Sequence, residues 1–174
     1  TDMEGFSTIC EKLSPQELAG MLNEYFGVLG AIVHEHGGVI SQIIGDALIV
    51  TYNAGSPNDD HAASAMRTAM AIQKADIKST FARGAVLKTR CGINTGDIVV
   101  VAIGTKERLS FTVHGDDVNI AARLEPLNKE YGSYILAGEN TVKACPKDEC
   151  EFESVGEVTV RGRATPTKIY TVKN

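Results

Sequence analysis

The stretch Phe111-Thr-Val-His-Gly-Asp-Asp-Val-Asn-Ile-Ala-Ala-Arg123 is typical of a short strand that runs directly into a helix. Asn119 and Arg123 are four residues apart, so a helix presents them as neighbours on one face. A neutral amide beside a permanently charged guanidinium suits a site that positions a sugar and neutralises phosphate charge. The same pair also fits a solvated helix face without function.

Hairpins and helices alternate on both sides of this stretch without a regular strand–helix–strand rhythm. A capping box, Ser14-Pro15-Gln16-Glu17, begins a helix that ends at Gly37-Gly38. A second helix is predicted from Asp60 to about Ala75, and a short one over 139–144. The predicted strands are 39–44, 47–52, 87–94, 98–103, 109–114, 134–137, 152–160 and 168–172. We expect 87–94 to pair with 98–103 around Thr95-Gly96-Asp97. An α+β fold, with a sheet covered by helices, is therefore favoured over a doubly wound fold.

Composition limits the class of protein. The 174 residues suit a single domain over 1–174. A net charge of −5 argues against binding to a nucleic-acid backbone. No apolar stretch reaches the roughly 20 residues that cross a bilayer. The four cysteines lack paired CxxC spacing, so we expect free thiols rather than a zinc site or disulfides.

Thr1-Asp2-Met3 is typical of the end of a strand whose first part is missing.

Two aspartates beside glycine predict a metal site. Asp2 follows the truncated strand, and Asp46 lies in the Gly45-Asp46 turn between two β-type runs. Two such carboxylates can hold two Mg²⁺ ions about 3.5–4 Å apart, as in two-metal phosphoryl transfer. The backbone amides of Gly5, Phe6 and Ser7 can cradle phosphate oxygens at the entry to a helical region. The alternatives are a hairpin-turn residue for Asp46, a chain terminus for Asp2 and a simple turn for Gly5–Ser7.

Three motifs in order resemble the catalytic domain of class III adenylate and guanylate cyclases. They are Asp2-Met-Glu-Gly-Phe-Ser7, Gly38-Val-Ile-Ser-Gln-Ile-Ile-Gly-Asp46 and Phe111–Arg123. The resemblance covers nearly all of the chain and implies a ferredoxin-like βαββαβ core with additional strands and helices. It also implies a homodimer with active sites at the interface. The implied reaction converts a nucleoside triphosphate to its 3′,5′-cyclic monophosphate and pyrophosphate, with two Mg²⁺ or Mn²⁺ ions per site.

The resemblance assigns roles to individual residues. Asp2 and Asp46 match the metal-binding aspartates, with the backbone of Met3 as a further contact. Asn119 matches the amide that orients the ribose, and Arg123 the guanidinium that stabilises the transition state.

Further residues match positions that contact the base and the phosphates. Gln42 and Thr112 fall at the two base-selecting positions. The segment Val160-Arg161-Gly162-Arg163 resembles a late basic segment that reaches the triphosphate, so Arg161 and Arg163 are phosphate-binding candidates. Arg108, in the loop before Thr112, is another, and a solvated loop charge is the alternative for it.

The sequence leaves two questions open: which purine nucleotide is the substrate, and whether the domain is catalytic. Gln42 replaces the lysine usual in adenylyl-type sites, and its amide can donate or accept. We expect ATP, with GTP as the alternative, because Thr112 resembles the threonine common in bacterial adenylyl cyclases of this family. A catalytically weak or inactive nucleotide-binding dimerisation module is the competing hypothesis. A third alternative, a diguanylate-cyclase-like or polymerase-palm enzyme, uses the same two-metal mechanism on a related core, but it explains the Asn119/Arg123 helix poorly.

The cellular location and the domains of the full-length protein are inferred only from the resemblance. We expect a cytoplasmic catalytic domain. Regulatory domains in the full-length chain, and membrane attachment, are further expectations.

Overall fold

The computed structural model describes residues 1–75, 77–105, 109–159 and 166–173. Within these ranges the strands are β1 (Asp2–Met3), β2 (Val39–Ile44), β3 (Ala47–Thr51), β4 (Thr89–Ile93), β5 (Val99–Gly104), β6 (Leu109–His114), β7 (Ile135–Gly138), β8 (Phe152–Val158) and β9 (Thr167–Val172). The helices are α1 (Phe6–Cys10), α2 (Pro15–Glu35), α3 (His61–Lys74), α4 (Asp116–Tyr131) and α5 (Glu139–Ala144).

The central sheet has the order β1-β4-β7-β9-β8. β1 is antiparallel to β4, and β4 is parallel to β7. Thr1 and Leu48 exchange backbone hydrogen bonds, with N···O distances of 2.8 Å and 3.3 Å, so the β2–β3 hairpin lies beside β1. The resulting order β4-β1-β3-β2, with α2 and α3 as the connections, is the predicted ferredoxin-like βαββαβ core.

The main hydrophobic core lies between one face of this sheet and helices α2 and α3. The capping box at Ser14 forms as predicted, with Ser14 Oγ accepting from the Glu17 N–H. The helix α2 that begins there buries Met21, Tyr25, Leu29 and Val33. Met3 and Cys91 of the sheet also belong to this core.

Helix α4 packs on the opposite face of the sheet. Successive strand residues face opposite sides, so Asp2 and Gly92 face away from Met3 and Cys91. A Cβ atom on Gly92 would lie 2.3 Å from the Ala121 carbonyl oxygen. Only glycine therefore allows α4 to approach β4 this closely. A second core of Ile120, Leu124, Leu136 and Ile169 holds the helix in place.

One local prediction was wrong. The expected pairing of 87–94 with 98–103 does not form, because β4 pairs with β1 and β7 while β5 pairs with β6. The chain instead turns towards α4 after β4, where Asn94 Nδ2 donates to Asp117 Oδ1 over 2.9 Å. The chain turns at Gly5, which has a φ of 71°, and enters helix α1, in agreement with the expected entry to a helical region.

The structure also describes the state of the cysteines and the apolar character of the helices. The four cysteines, all within the described ranges, are free thiols, as predicted. No helix in the described part of the chain is long and apolar enough to cross a membrane.

Candidate active site

Asp2 and Asp46 lie side by side at the edge of the sheet face that carries α4. Asp2 is in β1, and Asp46 is in the turn between β2 and β3. The backbone N–H of Met3 donates to Asp46 Oδ2 over 3.1 Å, which fixes this carboxylate against β1. The predicted pair of acidic side chains is thus brought together by the ferredoxin-like strand order. The Met3 side chain itself is buried in the main core.

The electrostatics of the pair suit a cation. Partial burial, and then the negative charge of Asp2, raise the pKa of the Asp46 carboxyl above its usual value. Carboxylate oxygens are hard ligands of the kind that Mg²⁺ and Mn²⁺ prefer. Across the residues that the structure describes, no group of three or more His, Cys, Asp or Glu side chains could hold a metal ion. A cation here would therefore take its remaining ligands from backbone, water or substrate phosphates, which is the usual arrangement for Mg²⁺.

The two aspartates open onto a cleft of about 220 Å³. The other lining residues come from β1, from the segment that follows it and from β4, and they are Met3, Gly5, Phe6, Ser7, Thr8 and Arg90. Phe6 and Ser7 begin α1, and the first N–H groups of a helix have no partner within the helix itself. The predicted phosphate cradle of Gly5, Phe6 and Ser7 therefore borders the predicted metal ligands.

Arg90 is a site residue that the sequence reasoning missed. It lies opposite Asp2 in the β1–β4 register, and its Nη2 is 3.1 Å from Asp2 Oδ2. Its Nε is 3.0 Å from Glu125 Oε1 on α4. The local sequence around Arg90 is typical of a strand. Only the register of β4 against β1 identifies this guanidinium as part of the cleft.

Asn119 and Arg123 lie elsewhere on the molecule. Asn119 is exposed and Arg123 is half-buried on α4. Neighbouring α4 residues, Val118, Ala121, Ala122 and Glu125, line a larger, mostly apolar cavity of about 430 Å³ beside β3 and β4. Residues on a helix are about 100° apart, so Asn119 and Arg123 project from a different side of α4. Neither residue lines the aspartate cleft of its own chain.

The two candidate base-selecting residues lie on strands that contact each other. Gln42 is in β2 and Thr112 is in β6, and β2 packs against β6. Thr112 is 9% exposed, and Gln42 is half-buried. The register of β2 against β3 shifts between Ile40 and Gln42. Such bulges re-aim side chains next to active sites.

Three predicted phosphate-binding residues lie outside the described residues. They are Arg108, Arg161 and Arg163.

Both hairpins expose apolar side chains to solvent. Val39, Ile43 and Ile44 are exposed on β2, and Phe111 of β6 is 71% exposed. On β5 the exposed apolar residues are Val99, Val100 and Ile103. We call this set the hairpin surface. Exposed apolar residues on neighbouring strands are candidates for an interaction surface.

Comparisons with known proteins agree on one family. The family model for the adenylate and guanylate cyclase catalytic domain matches residues 1–174. The chain is 40% identical over 176 residues to adenylate cyclase 1 of Rhizobium meliloti (strain 1021), covering 99% of this chain and 26% of that protein. The chain thus spans about a quarter of the length of that relative.

Solved structures with the same fold include cyclases of both base specificities. One is the adenylyl cyclase CyaB from P. aeruginosa, with a TM-score of 0.83 and 28% identity over 99% of this chain and 90% of that one. Another is the guanylate cyclase domain of RhGC from Catenaria anguillulae in complex with GTP. Its TM-score is 0.86, with 25% identity over 99% of this chain and 92% of that one.

Proposed function

Because this chain belongs to the adenylate and guanylate cyclase catalytic domain family, we propose that it converts ATP to 3′,5′-cyclic AMP and pyrophosphate. The ribose 3′-oxygen bonds to the α-phosphorus, the bond from that phosphorus to the β-phosphate oxygen breaks, and the hydroxyl proton is released. The single observation that carries this proposal is the pair of adjacent carboxylates, Asp2 and Asp46, in a cleft that also holds Arg90.

Asp2 and Asp46 hold two Mg²⁺ or Mn²⁺ ions in this proposal, with the Met3 backbone as a further contact. Bound cations of this kind favour loss of the hydroxyl proton and neutralise charge on the phosphates. The chain's own groups bind the rest of the triphosphate. The amides of Gly5, Phe6 and Ser7 receive phosphate oxygens, and Arg90 supplies a guanidinium at the same cleft.

The active unit is a homodimer with composite sites. Each chain carries the aspartate set in one cleft and the Asn119/Arg123 pair on a different surface. A symmetric pair of chains can bring each set against the complementary set of the other copy, forming two equivalent sites. Arg123 then stabilises charge that develops at the α-phosphate, and Asn119 orients the ribose. The exposed hairpin surface supplies apolar area for this contact.

Gln42 and Thr112 select the base, with ATP favoured and GTP as the alternative. Both side chains carry a donor and an acceptor, so neither enforces rejection by charge. Thr112 can accept from the adenine amino group or donate to the guanine carbonyl. Arg108, Arg161 and Arg163 remain proposed contacts of the triphosphate.

The protein's wider context is also a proposal. A relative almost four times as long suggests regulatory domains in the full-length protein. The catalytic domain acts in the cytoplasm, where nucleoside triphosphates are found.

The competing function is a nucleotide-binding dimerisation module without catalysis. An assay of purified protein with ATP or GTP, in Mg²⁺ or Mn²⁺, and with separation of cyclic from linear products, distinguishes the two. We expect cyclic AMP that requires the cation. A verified dimer that binds nucleotide but forms no cyclic product from either triphosphate would favour the binding module.

A further inference from the structure

Arg90 lies between two carboxylates that belong to different parts of the fold. Its Nη2 atom is 3.1 Å from Oδ2 of Asp2 in β1. Its Nε atom is 3.0 Å from Oε1 of Glu125 in α4. This chain of charges therefore joins the aspartate cleft to the helix that carries Asn119 and Arg123.

The position of Glu125 depends on the close packing of α4. At Gly92 the helix backbone comes so close that an added Cβ atom would lie 2.4 Å from the Glu125 nitrogen. The side chains of Arg90 and Glu125 are each only 15% exposed. Burial, and then the nearby charge of Asp2, raise the pKa of the Glu125 carboxyl, while Arg90 opposes the rise.

The Arg90–Glu125 contact is close but not aligned. Although Nε and Oε1 are 3.0 Å apart, neither atom has a hydrogen-bond partner of good geometry within the described ranges. Buried polar atoms normally have such partners. The guanidinium therefore contacts two carboxylates: Nε is held near Glu125 by charge, and Nη2 donates an aligned hydrogen bond to Asp2.

We propose that Glu125 is a positioning residue that restrains Arg90 and so limits how strongly Arg90 competes with a divalent cation for Asp2. This inference rests on the proposed role of Asp2 as a metal ligand. With Glu125 in place, the guanidinium shares its charge between two anions and leaves Asp2 partly available. Without the Glu125 charge, Arg90 pairs with Asp2 alone, and the cation binds less tightly.

Direct titration with Mn²⁺, followed by electron paramagnetic resonance in the absence of nucleotide, tests this inference. We expect Glu125→Gln to weaken Mn²⁺ binding by about threefold to tenfold, because the released Arg90 charge then acts on Asp2 alone with about the strength of two unit charges 4 Å apart in water. Arg90→Gln removes the competitor, and Mn²⁺ binding becomes tighter. Glu149→Gln is the matched control, because it breaks the Arg67–Glu149 ion pair away from the cleft and leaves Mn²⁺ binding unchanged.

A double-mutant cycle separates positioning from a direct effect of the Glu125 charge. If Glu125 acts through Arg90, Glu125→Gln changes Mn²⁺ affinity less than about twofold in the Arg90→Gln background. An equal loss in both backgrounds, or no loss in either, overturns the inference. Thermal unfolding checks that each variant folds. Arg90→Met, which removes the charge but keeps most of the length of the side chain, replaces Arg90→Gln in the cycle if that variant does not fold.

The same titration distinguishes this inference from the proposed function. If Asp46→Asn leaves Mn²⁺ binding unchanged, the proposed metal site is refuted, and the inference about Glu125 is refuted with it. If Asp46→Asn weakens Mn²⁺ binding but Glu125→Gln does not, the metal site stands and only the role of Glu125 is refuted.

Discussion

Gly92 of β4 and Glu125 of α4 are in such close contact that no side chain fits between them. The Cβ atom of an alanine at Gly92 would lie 2.4 Å from the Glu125 nitrogen and 2.3 Å from the Ala121 carbonyl oxygen. The approach of this helix to the sheet therefore depends on one missing methyl group. It places the Glu125 carboxylate next to Arg90, and so beside the aspartate cleft.

We expect Gly92→Ala to destabilise the fold, because α4 must shift away from β4 to accept the methyl group. Overpacking of this kind typically costs about 1–3 kcal/mol. Thermal or urea unfolding measures the change. Gly55→Ala is the matched control, since a Cβ atom there meets nothing within 4 Å. A Gly92→Ala protein as stable as the Gly55→Ala protein would contradict the packing of α4 on β4.

The Gly92 contact is an example of long-range packing that the sequence did not predict, whereas locally encoded elements were predicted. The sequence predicted helix α2 through its capping box and the Asp46 turn through Gly45, because these signals are local. The three motifs predicted the family. The pairing of β4 was mispredicted, since neighbouring segments usually pair, whereas here β5 and β6 form their own hairpin.

Arg90 and Glu125 were missed for a related reason. Their importance depends on the β1–β4 register and on the depth of α4, and no short stretch of sequence encodes either. Asp2 and Asp46 were predicted as metal ligands because each lies in a recognisable strand or turn pattern. Their closeness, however, required the bond between the Met3 N–H and Asp46.

The base preference is expected to change when Gln42 is replaced by lysine. A lysine can donate to adenine N1 but cannot accept from the guanine N1 hydrogen, so Gln42→Lys raises the ratio of kcat/KM for ATP to that for GTP. We expect a gain of about tenfold, because a group left unpaired in the GTP complex costs about 1–3 kcal/mol. Initial rates with both nucleotides measure the ratio. A strong GTP preference that Gln42→Lys does not reduce would contradict both the choice of ATP and the role of Gln42.

The exposed hairpin surface predicts how the chains associate. Phe111 is 71% exposed on β6. We expect Phe111→Ser to weaken the dimer at least tenfold, since burial of a phenylalanine contributes about 1.5–3 kcal/mol. Sedimentation at several concentrations gives the dimer dissociation constant. Phe81→Ser is the control, because Phe81 is also exposed but lies outside the hairpin surface. An equal effect of both substitutions, or no effect of Phe111→Ser, would contradict a contact through this surface.

In the proposed homodimer, each active site combines the aspartates of one chain with Asn119 and Arg123 of the other. Mixing an Asp46→Ala protein with an Arg123→Ala protein tests it most directly, with cyclic AMP formation as the readout. Each variant alone is expected to be inactive. After subunit exchange, random pairing at equal concentrations makes about half the dimers mixed, each with one intact site, so about a quarter of the parent activity returns. A mixture that stays as inactive as either variant, although subunit exchange is demonstrated, would contradict the composite site.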